Sequence, residues 1–325
     1  MEGIEYAGER LWAGQLGHGL VIASVLLALV SMIAYAAAGR LQGNLSRKHD
    51  LESWLLTGRL AYGLHGASVI AVIVLIFHMM LGRFYEYEYV WSHVSDELPF
   101  KYTFSAFWEG QEGSFLLWAF WNVVLGGLLI RWAGKDWEAG VMLSFAMVQA
   151  IMMSMLLGFY ITEADGRIGS SPFALLRETN FAPMFSRSDY VELLEGKGLN
   201  PLLQNYWMTI HPPTLFLGFA STLVPFGFAI AGLWNGQHKE ALTRALPWAL
   251  FSAAVLGTGI FMGGVWAYEA LSFGGYWAWD PVENASLVPW ITLIAGIHTA
   301  LIARSTGRSI RSTYLFWLLT FFLIV

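Results

Sequence analysis

Long apolar segments dominate this chain, and they constrain it to fold within a lipid bilayer. A helix needs about 20 predominantly apolar residues to cross the hydrocarbon core. Because backbone groups in lipid must find hydrogen-bond partners within the protein, such segments predict an all-α, polytopic transmembrane helix bundle. Seven predicted spans and a partial eighth, too short to cross, lie at residues 19–38, 60–82, 114–132, 140–160, 207–234, 250–267, 289–303 and 314–325.

The composition agrees with a membrane protein and narrows the chemistry. Hydrophobic residues make up 56% of the chain and charged residues 13%, whereas soluble domains carry about 25% charged residues. The absence of cysteine excludes disulfides, iron–sulfur clusters, thiolate ligation of iron and thiol nucleophiles on this chain. There is no basic run, so we expect no nucleic-acid partner. The start of the chain is acidic, which predicts that the first apolar segment is a retained anchor.

The distribution of lysine and arginine predicts the orientation. Loops 39–59, 131–139, 235–249 and 304–313 hold eleven of the 18 basic residues, which places these loops on the inner side. The N-terminus and the loops 83–113, 161–206 and 268–288 are then outside. We expect 161–206 to lie against the outer surface as short helices. The acidic side chains of the first outer loop are expected to be solvated; they are Glu86, Glu88, Asp96 and Glu97.

The outer loop before the seventh span is unusually rich in aromatic residues. The stretch 273–290 reads FGGYWAWDPVENASLVPW, and Trp266 precedes it. Two interpretations remain open for these tryptophans: an aromatic belt at the membrane interface, or a platform of rings on which a flat ligand stacks. Tyr276, Trp277 and Trp279 sit in the connector beside two glycines, and this position suits the platform.

A charged pair follows directly after those rings. Asp280, Pro281 and Glu283 form a capping-box pattern, with a side-chain acceptor at the N-cap, proline at the first helical position and glutamate at the third. The pattern predicts that a helix starts at Pro281. Such a helix would hold the aromatic loop rigidly, so capping and ligand binding are compatible roles for Asp280.

Two histidines are candidate metal ligands. His298 lies inside the seventh predicted span, where an ionisable group usually faces the bundle interior with a partner or a ligand. His211 precedes Pro212 and Pro213, and proline is favoured in a first helical turn. The alternatives are a hydrogen-bonded core histidine for His298 and an interfacial helix start for His211. A haem iron ligand is the functional reading of both.

Three motifs together resemble one known family. The stretch GGYWAWDPVENASLVPW is similar to the tryptophan-rich WWD signature of haem-handling proteins, in the version of the CcmF family. Proteins of this family are the haem-lyase components of bacterial cytochrome c maturation. HPPTLFLGF at 211–219 resembles the outer-histidine motif of the family. WEGQEGSFLLW at 108–118 resembles a further element, with Glu109 where glycine is usual.

The resemblance implies roles for individual residues. His211 matches the first of two outer histidines that flank the WWD loop. His298 matches the first of two transmembrane histidines that hold a b-type haem. The second histidine of each pair is expected beyond Val325, which implies that residues 1–325 are one membrane-embedded domain in the N-terminal portion of a longer protein. The loop that receives haem from its chaperone matches Tyr276, Trp277, Trp279 and Asp280, with Trp266 beside it.

The implied function is attachment of haem to apocytochrome c at the outer face of the bacterial inner membrane. Haem would be held transiently at the WWD loop, and the b-type haem in the membrane would keep its iron reduced, with quinol as a candidate electron source. The implied partners are apocytochrome c, the haem chaperone and the components that bind the apocytochrome. The alternatives are a transporter of haem or another amphipathic solute and a quinone-linked membrane subunit without haem.

Overall fold

Helices account for most of the part of the chain that the computed structural model describes, which is residues 6–162, 166–180, 182–272 and 274–325. Within these ranges the helices are α1 (Leu11–Leu41), α2 (Lys48–Leu81), α3 (Glu88–His93), α4 (Phe100–Glu109), α5 (Gln111–Trp132), α6 (Glu138–Ser154), α7 (Leu176–Thr179), α8 (Tyr206–Asn235), α9 (His238–Ala270), α10 (Pro281–Thr306) and α11 (Ile310–Phe322). Short 3-10 turns cover Leu45–Arg47, Pro183–Ser186, Tyr190–Leu193 and Pro201–Leu203.

The predicted helical bundle is confirmed, with one small exception. Strands β1 (Phe159–Thr162) and β2 (Gly166–Ile168) form an antiparallel hairpin after α6. Among the described residues, six helices are long and apolar enough to cross a membrane, namely α1, α2, α5, α8, α9 and α10. The last helix, α11, has 13 residues and is short for a span, as predicted.

The fourth predicted span, 140–160, is wrong in its extent. Helix α6 has 17 residues and ends at Ser154, although the sequence stays apolar beyond that point. Gly158 has a φ of 63°, a left-handed conformation that glycine adopts readily and that ends helices. The aromatic and β-branched residues that follow favour a strand, so the chain turns into the hairpin instead of continuing the helix.

Helices α8 and α9 pack along each other at short range. A Cβ atom added to Gly218 would lie 2.7 Å from the Cα of Leu256, and one added to Gly259 would lie 2.9 Å from the Cα of Leu215. Small residues allow this approach, as in many membrane helix pairs. The first turns of α8 are thereby held against the last turns of α9, next to the connection that leads to α10.

The loops 83–113 and 161–206, which the sequence predicts to be outer loops, pack against the start of the chain through buried ion pairs. Glu86, predicted to be solvated, is fully buried and accepts hydrogen bonds from Nε and Nη2 of Arg10, both at 2.9 Å. The prediction for Glu86 is therefore wrong, because a buried carboxylate is tolerated when it is paired. A second buried carboxylate, Glu9, accepts from Arg177 at 2.7 Å and from the Tyr190 hydroxyl at 2.6 Å.

The predicted short helices of 161–206 are confirmed in part. The loop contains α7 and three of the 3-10 turns, together with strand β2. Leu176, Phe185 and Tyr190 form a small hydrophobic cluster of their own. Residues 163–165 and 181 of this loop, and Phe273 of the aromatic stretch, lie outside the described residues.

Candidate functional site

The aromatic loop is shorter than predicted because the flanking helices extend into it. Helix α9 ends at Ala270 and α10 begins at Pro281, so the loop covers 271–280 rather than 268–288. The predicted capping box is confirmed: Glu283 N–H donates to Asp280 Oδ1 at 2.7 Å, and Glu283 Oε2 accepts from the Asp280 N–H at 3.4 Å. Glu283 Oε2 also accepts from Ala278 N–H at 2.8 Å. The end of the loop is thus fixed to the first turn of α10.

The rings of the loop are held mainly by one another. Tyr276 stacks on Tyr268 of α9 with ring centroids 4.4 Å apart and planes 3° from parallel. Trp277 and Trp279 meet edge to face at 5.8 Å. Trp279 has a φ of 58°, which is uncommon for a residue with a bulky side chain. The amide of Asn284 donates to the Trp279 carbonyl at 3.0 Å and holds this backbone conformation.

An open apolar cleft of about 500 Å3 lies under these rings. Its size falls within the range of about 300–1,000 Å3 typical of small-molecule sites. Trp290 forms part of its wall, and its indole N–H donates to the Ala253 carbonyl at 2.8 Å. The other lining residues are Gly257, Ile260, Phe261, Gly264, Val265, Tyr276, Trp277, Trp279 and Leu287.

A smaller cleft of about 90 Å3 adjoins the first one and contains His211. Trp277, Ile260 and Gly264 line both clefts, so the two are adjacent and share the Trp277 ring as a common wall. Trp266 and Asp280 also line the smaller cleft. The structure therefore brings together six of the seven predicted site residues: His211, Trp266, Tyr276, Trp277, Trp279 and Asp280.

His211 is oriented as a metal-ligating imidazole requires. Its Nδ1 lies 2.8 Å from the carbonyl oxygen of Gly259. Because a carbonyl only accepts, Nδ1 carries the hydrogen and Nε2 carries the free lone pair. Bonding of the second ring nitrogen to a backbone carbonyl is the usual way to fix the tautomer of a ligating histidine. The Trp266 ring lies nearly parallel to the imidazole, with centroids 6.5 Å apart.

Gly263 makes room for this imidazole. A Cβ atom at Gly263 would lie 2.7 Å from His211 Cε1 and 3.2 Å from Nε2. Sequence reasoning did not identify Gly259 or Gly263 as site residues. The signal was present as GIFMGG at 259–264, since glycines four apart within a membrane helix mark a close approach of a neighbouring element.

Two indole N–H groups at the clefts have no acceptor in the described part of the chain. They belong to Trp266 and Trp277, and both nitrogens are buried. An indole nitrogen only donates, and a buried donor without a partner costs about 1–3 kcal/mol. A ligand that brings an acceptor group into the clefts would remove this cost.

His298 does not join this site. The sequence predicts that it faces the bundle interior, but in the part of the bundle that the structure describes its side chain is exposed. Helix α10 buries a different face, which includes Leu293, Ile297 and Ala300. His298 lies 18 residues beyond Asp280, or about 27 Å along a helix. Its Nδ1 is 2.9 Å from the Ile294 carbonyl, so its Nε2 is also a free acceptor.

The donor set suits a haem iron better than a free metal ion. Among the described residues, no group of three or more His, Cys, Asp or Glu side chains could hold a metal ion. A porphyrin brings its own equatorial nitrogens, so the protein needs to supply only axial ligands such as histidine. The site offers one oriented imidazole and two unpaired indole N–H donors next to an open apolar cleft, and this combination fits such a ligand.

The third motif, at 108–118, forms the break between α4 and α5. Glu109, which stands where the family usually has glycine, forms an ion pair with His93 at 2.8 Å. Burial disfavours protonation of His93, but hydrogen bonds to Glu109 and to the Tyr89 carbonyl outweigh it and raise the pKa of the imidazole. Glu109, the residue that departs from the motif, therefore has an ion-pair partner in this chain, His93.

Comparison with known proteins points to one family. Residues 108–325 match the family model described as cytochrome C assembly protein. The chain is 32% identical over 295 residues to the cytochrome c-type biogenesis protein CcmF of Pseudomonas aeruginosa, which covers 90% of this chain and 41% of that protein. It is 31% identical over 290 residues to CcmF of Escherichia coli, covering 88% and 40%.

A solved structure has a similar fold. The chain aligns with a structure described as Cytochrome c Heme Lyase CcmF with a TM-score of 0.75 and 24% identity, covering 100% of this chain and 47% of that one. At this identity the likeness concerns the fold alone. The chain spans 41% and 40% of the length of the two CcmF relatives.

Proposed function

Because the chain belongs to the cytochrome c assembly protein family, we propose that its two adjacent clefts hold haem at the outer membrane face for attachment to apocytochrome c. The relationship to CcmF that the three motifs predicted is confirmed. The six candidate spans and the bacterial CcmF relatives support a multi-pass protein of the bacterial inner membrane. The outer position of the aromatic loop follows from the charge distribution and is part of the proposal.

One observation carries the proposal: the His211 imidazole and the tryptophan rings of the loop, far apart in sequence, line two adjacent clefts that share Trp277. The Nε2 of His211 is available as an axial ligand. Because Trp277 and Trp279 stand nearly perpendicular, one ring can offer its face and the other its edge to an apolar macrocycle. The unpaired N–H groups of Trp266 and Trp277 can donate to acceptor groups at the edge of such a ligand.

The residues of this chain act by positioning. His211 fixes the iron, and Gly259 fixes the tautomer of His211. The capping box of α10 holds the loop rings at a set distance from α9, and the apolar lining excludes water. Positioning of this kind replaces a bimolecular encounter by a reaction between oriented groups.

The bond-forming groups come from the ligand and the partner. When bound, haem supplies two vinyl groups, and each can add one cysteine thiol, forming an S–C bond at one vinyl carbon while the thiol hydrogen goes to the other carbon, without net oxidation. This chain has no cysteine, so both thiols belong to the apocytochrome. We infer that the haem chaperone and the components that bind the apocytochrome dock at the outer face, where the clefts open.

His298 is proposed as one ligand of a second, b-type haem in the membrane. Its side chain is exposed on the described bundle and its Nδ1 is bonded to the Ile294 carbonyl, so its Nε2 would be the atom that holds the iron of this haem. This haem would supply electrons to the outer iron, with quinol as the proposed donor. Its role is distinct from that of His211, because the two histidines lie on different helices and only His211 lines the clefts.

The test is an absorption spectrum of the full-length protein purified from haem-replete cells, oxidised and reduced. His298→Ala should remove the split reduced α/β bands of a b-type haem. His211→Ala should lower haem affinity at the outer site by about tenfold or more, with the b-type bands retained. His49→Ala, an exposed histidine at the start of α2, is the matched control. A protein without bound haem would favour the transporter or quinone-linked alternatives instead.

A further inference from the structure

Helix α8 carries two prolines where it needs backbone donors. The helix begins at Tyr206, with the Asn205 side chain accepting from Trp207 N–H at 2.8 Å. Pro212 and Pro213 therefore lie in its second turn. The sequence pattern predicts them in the first turn, so this prediction is wrong. Proline has no N–H and cannot bond the carbonyl four residues earlier. The carbonyls of Met208 and Thr209 thus lose their helical donors.

The indole of Trp108 occupies the first of these vacancies. Its Nε1–H donates to the Met208 carbonyl at 2.8 Å, in place of the N–H that Pro212 lacks. The neighbouring hydroxyls of Ser105 and Thr209 are 3.1 Å apart and join α4 to the same turn.

A second indole donates one turn further along the helix. Trp121 of α5 bonds the Pro213 carbonyl at 2.9 Å. Trp121 replaces no missing donor, because the Pro213 carbonyl faces the N–H of Leu217 four residues later; the indole of Trp108 alone bonds a carbonyl that has lost its helical donor.

The motif at 108–118 fixes the position of Trp108. The Ser114 hydroxyl donates to the Trp108 carbonyl at 2.7 Å, and the Ser114 N–H donates to the Gly110 carbonyl at 3.0 Å. Gly113 sits against the Phe107 carbonyl so closely that a Cβ there would overlap it. The glycines and the serine of this motif therefore shape the turn that aims the Trp108 indole at α8.

We propose that Trp108 is a positioning residue for His211. Met208 precedes His211 by three residues, which is nearly one helical turn, so a donor at the Met208 carbonyl sets the backbone from which the imidazole projects. The imidazole has little freedom, because Gly259 and Gly263 confine it on the α9 side. The proposal rests on the proposed function of His211 as an iron ligand, and it assigns the 108–118 motif to that site.

The test separates the indole N–H from the ring. Trp108→Phe keeps most of the ring packing and removes the donor. Pro212→Ala restores a backbone N–H that can bond the Met208 carbonyl. The W108F substitution should therefore have a smaller effect when added to P212A than when made in the wild-type protein. Trp118→Phe is the matched control, because Trp118 packs on Phe216 and Phe219 and its indole makes no hydrogen bond within the described residues.

Two readouts are needed. In haem-free protein labelled with 15N-histidine, W108F should move the His211 signal, assigned with His211→Ala, away from the Nδ1-protonated tautomer. In the haem-loaded protein, the dissociation constant for haem should rise about three- to tenfold. Both changes should be suppressed in the P212A background and absent in W118F.

The outcomes are distinguishable. The proposed role of the indole donor is wrong if W108F matches wild type in both readouts. It is also wrong if W108F has the same effects in the P212A background as in the wild-type protein. If W108F moves the imidazole signal while His211→Ala leaves haem binding unchanged, positioning by Trp108 stands and the assignment of His211 as a ligand falls.

Discussion

Loops that the sequence predicts alike as outer surface segments are held in different ways. The loops 83–113 and 161–206 are held to the start of the chain by buried carboxylates, with Arg10 on Glu86 and Arg177 on Glu9. The loop 271–280 has no ion pair among its described residues. It is held by the capping box of α10 and by the stack of Tyr276 on Tyr268.

This difference distinguishes the loops that stabilise the fold from the loop whose groups are available to a ligand. In the loops 83–113 and 161–206, Glu86 and Arg177 pair with Arg10 and Glu9, which are distant in sequence, so these loops are fixed to the start of the chain. The loop 271–280 leaves ring faces exposed and, within the described residues, the indole N–H of Trp277 buried without an acceptor, and both features are costly unless a ligand uses them. Removing one of the buried ion pairs should therefore lower the free energy of unfolding, whereas removing a ring of the loop should lower ligand affinity.

The largest expected effect on stability comes from Glu86. Glu86→Ala leaves Arg10, which lies over the Phe84 ring, without its carboxylate and opens a space at a fully buried position. Breaking a buried pair costs about 3–5 kcal/mol, and because the Arg10 side chain is 35% exposed it can be rehydrated. We therefore expect a loss of about 2–3 kcal/mol in the free energy of unfolding, measured by denaturation in detergent.

The matched control is Glu97→Ala, on an exposed side chain of the same region, which should stay within about 0.5 kcal/mol of wild type. Haem affinity at the loop should be unchanged in both variants. A parallel loss of affinity in Glu86→Ala would show that the two regions are coupled and would break the comparison.

A smaller effect is expected at the N-cap of α10. Asp280→Ala removes the acceptor of the Glu283 N–H and should cost about 1 kcal/mol. Asp280→Asn keeps an acceptor, because asparagine caps helices about as well as aspartate, and should cost a few tenths at most. Hydrogen exchange of the amides in 274–290 should accelerate in the alanine variant alone.

The asparagine variant decides what Asp280 contributes to the site. If capping is its role, haem affinity should fall in Asp280→Ala and be retained in Asp280→Asn. Equal losses in the two variants would mean that the carboxylate charge itself acts on the ligand or on a partner.

Local patterns in the sequence predicted the parts of this site that depend on neighbours in the chain. The capping box gave the first residue of α10, since all of its members lie within four positions. The clustering of ring residues before it was equally visible. The family motifs paired His211 with the aromatic loop, although no spacing rule brings α8 to α9. Their contact depends on Gly218 and Gly259.

The residues whose environments were not predicted correctly depend on contacts between positions far apart in the sequence, which no local pattern contains. Glu86 is buried because its partner Arg10 lies 76 positions earlier. His298 was assigned to the interior from its depth in an apolar segment, but a membrane helix is apolar on every side. Which face of α10 is covered depends on how α9 and α11 pack on it. Hydropathy also missed the end of α6 at Ser154, because the sequence from Met155 to Leu157 stays apolar after the helix has ended.

The smallest expected effect on stability, with a clear effect on binding, is at Trp279. Its side chain is 70% exposed and contributes little packing, while its φ of 58° costs a residue with a Cβ about 1–2 kcal/mol. Glycine adopts this conformation without that cost but loses more entropy on folding. Trp279→Gly should therefore leave the free energy of unfolding within about 1 kcal/mol of wild type.

Haem affinity should nevertheless fall in Trp279→Gly, because the variant removes a ring that lines the larger cleft. Trp132→Ala is the control: its indole is 62% exposed at the end of α5, lines neither cleft, and should change neither quantity. A large loss of stability in Trp279→Gly with no change in affinity would make this ring a packing residue. Strain retained at an exposed tryptophan is instead what a binding surface predicts, since backbone strain persists where function requires the side chain.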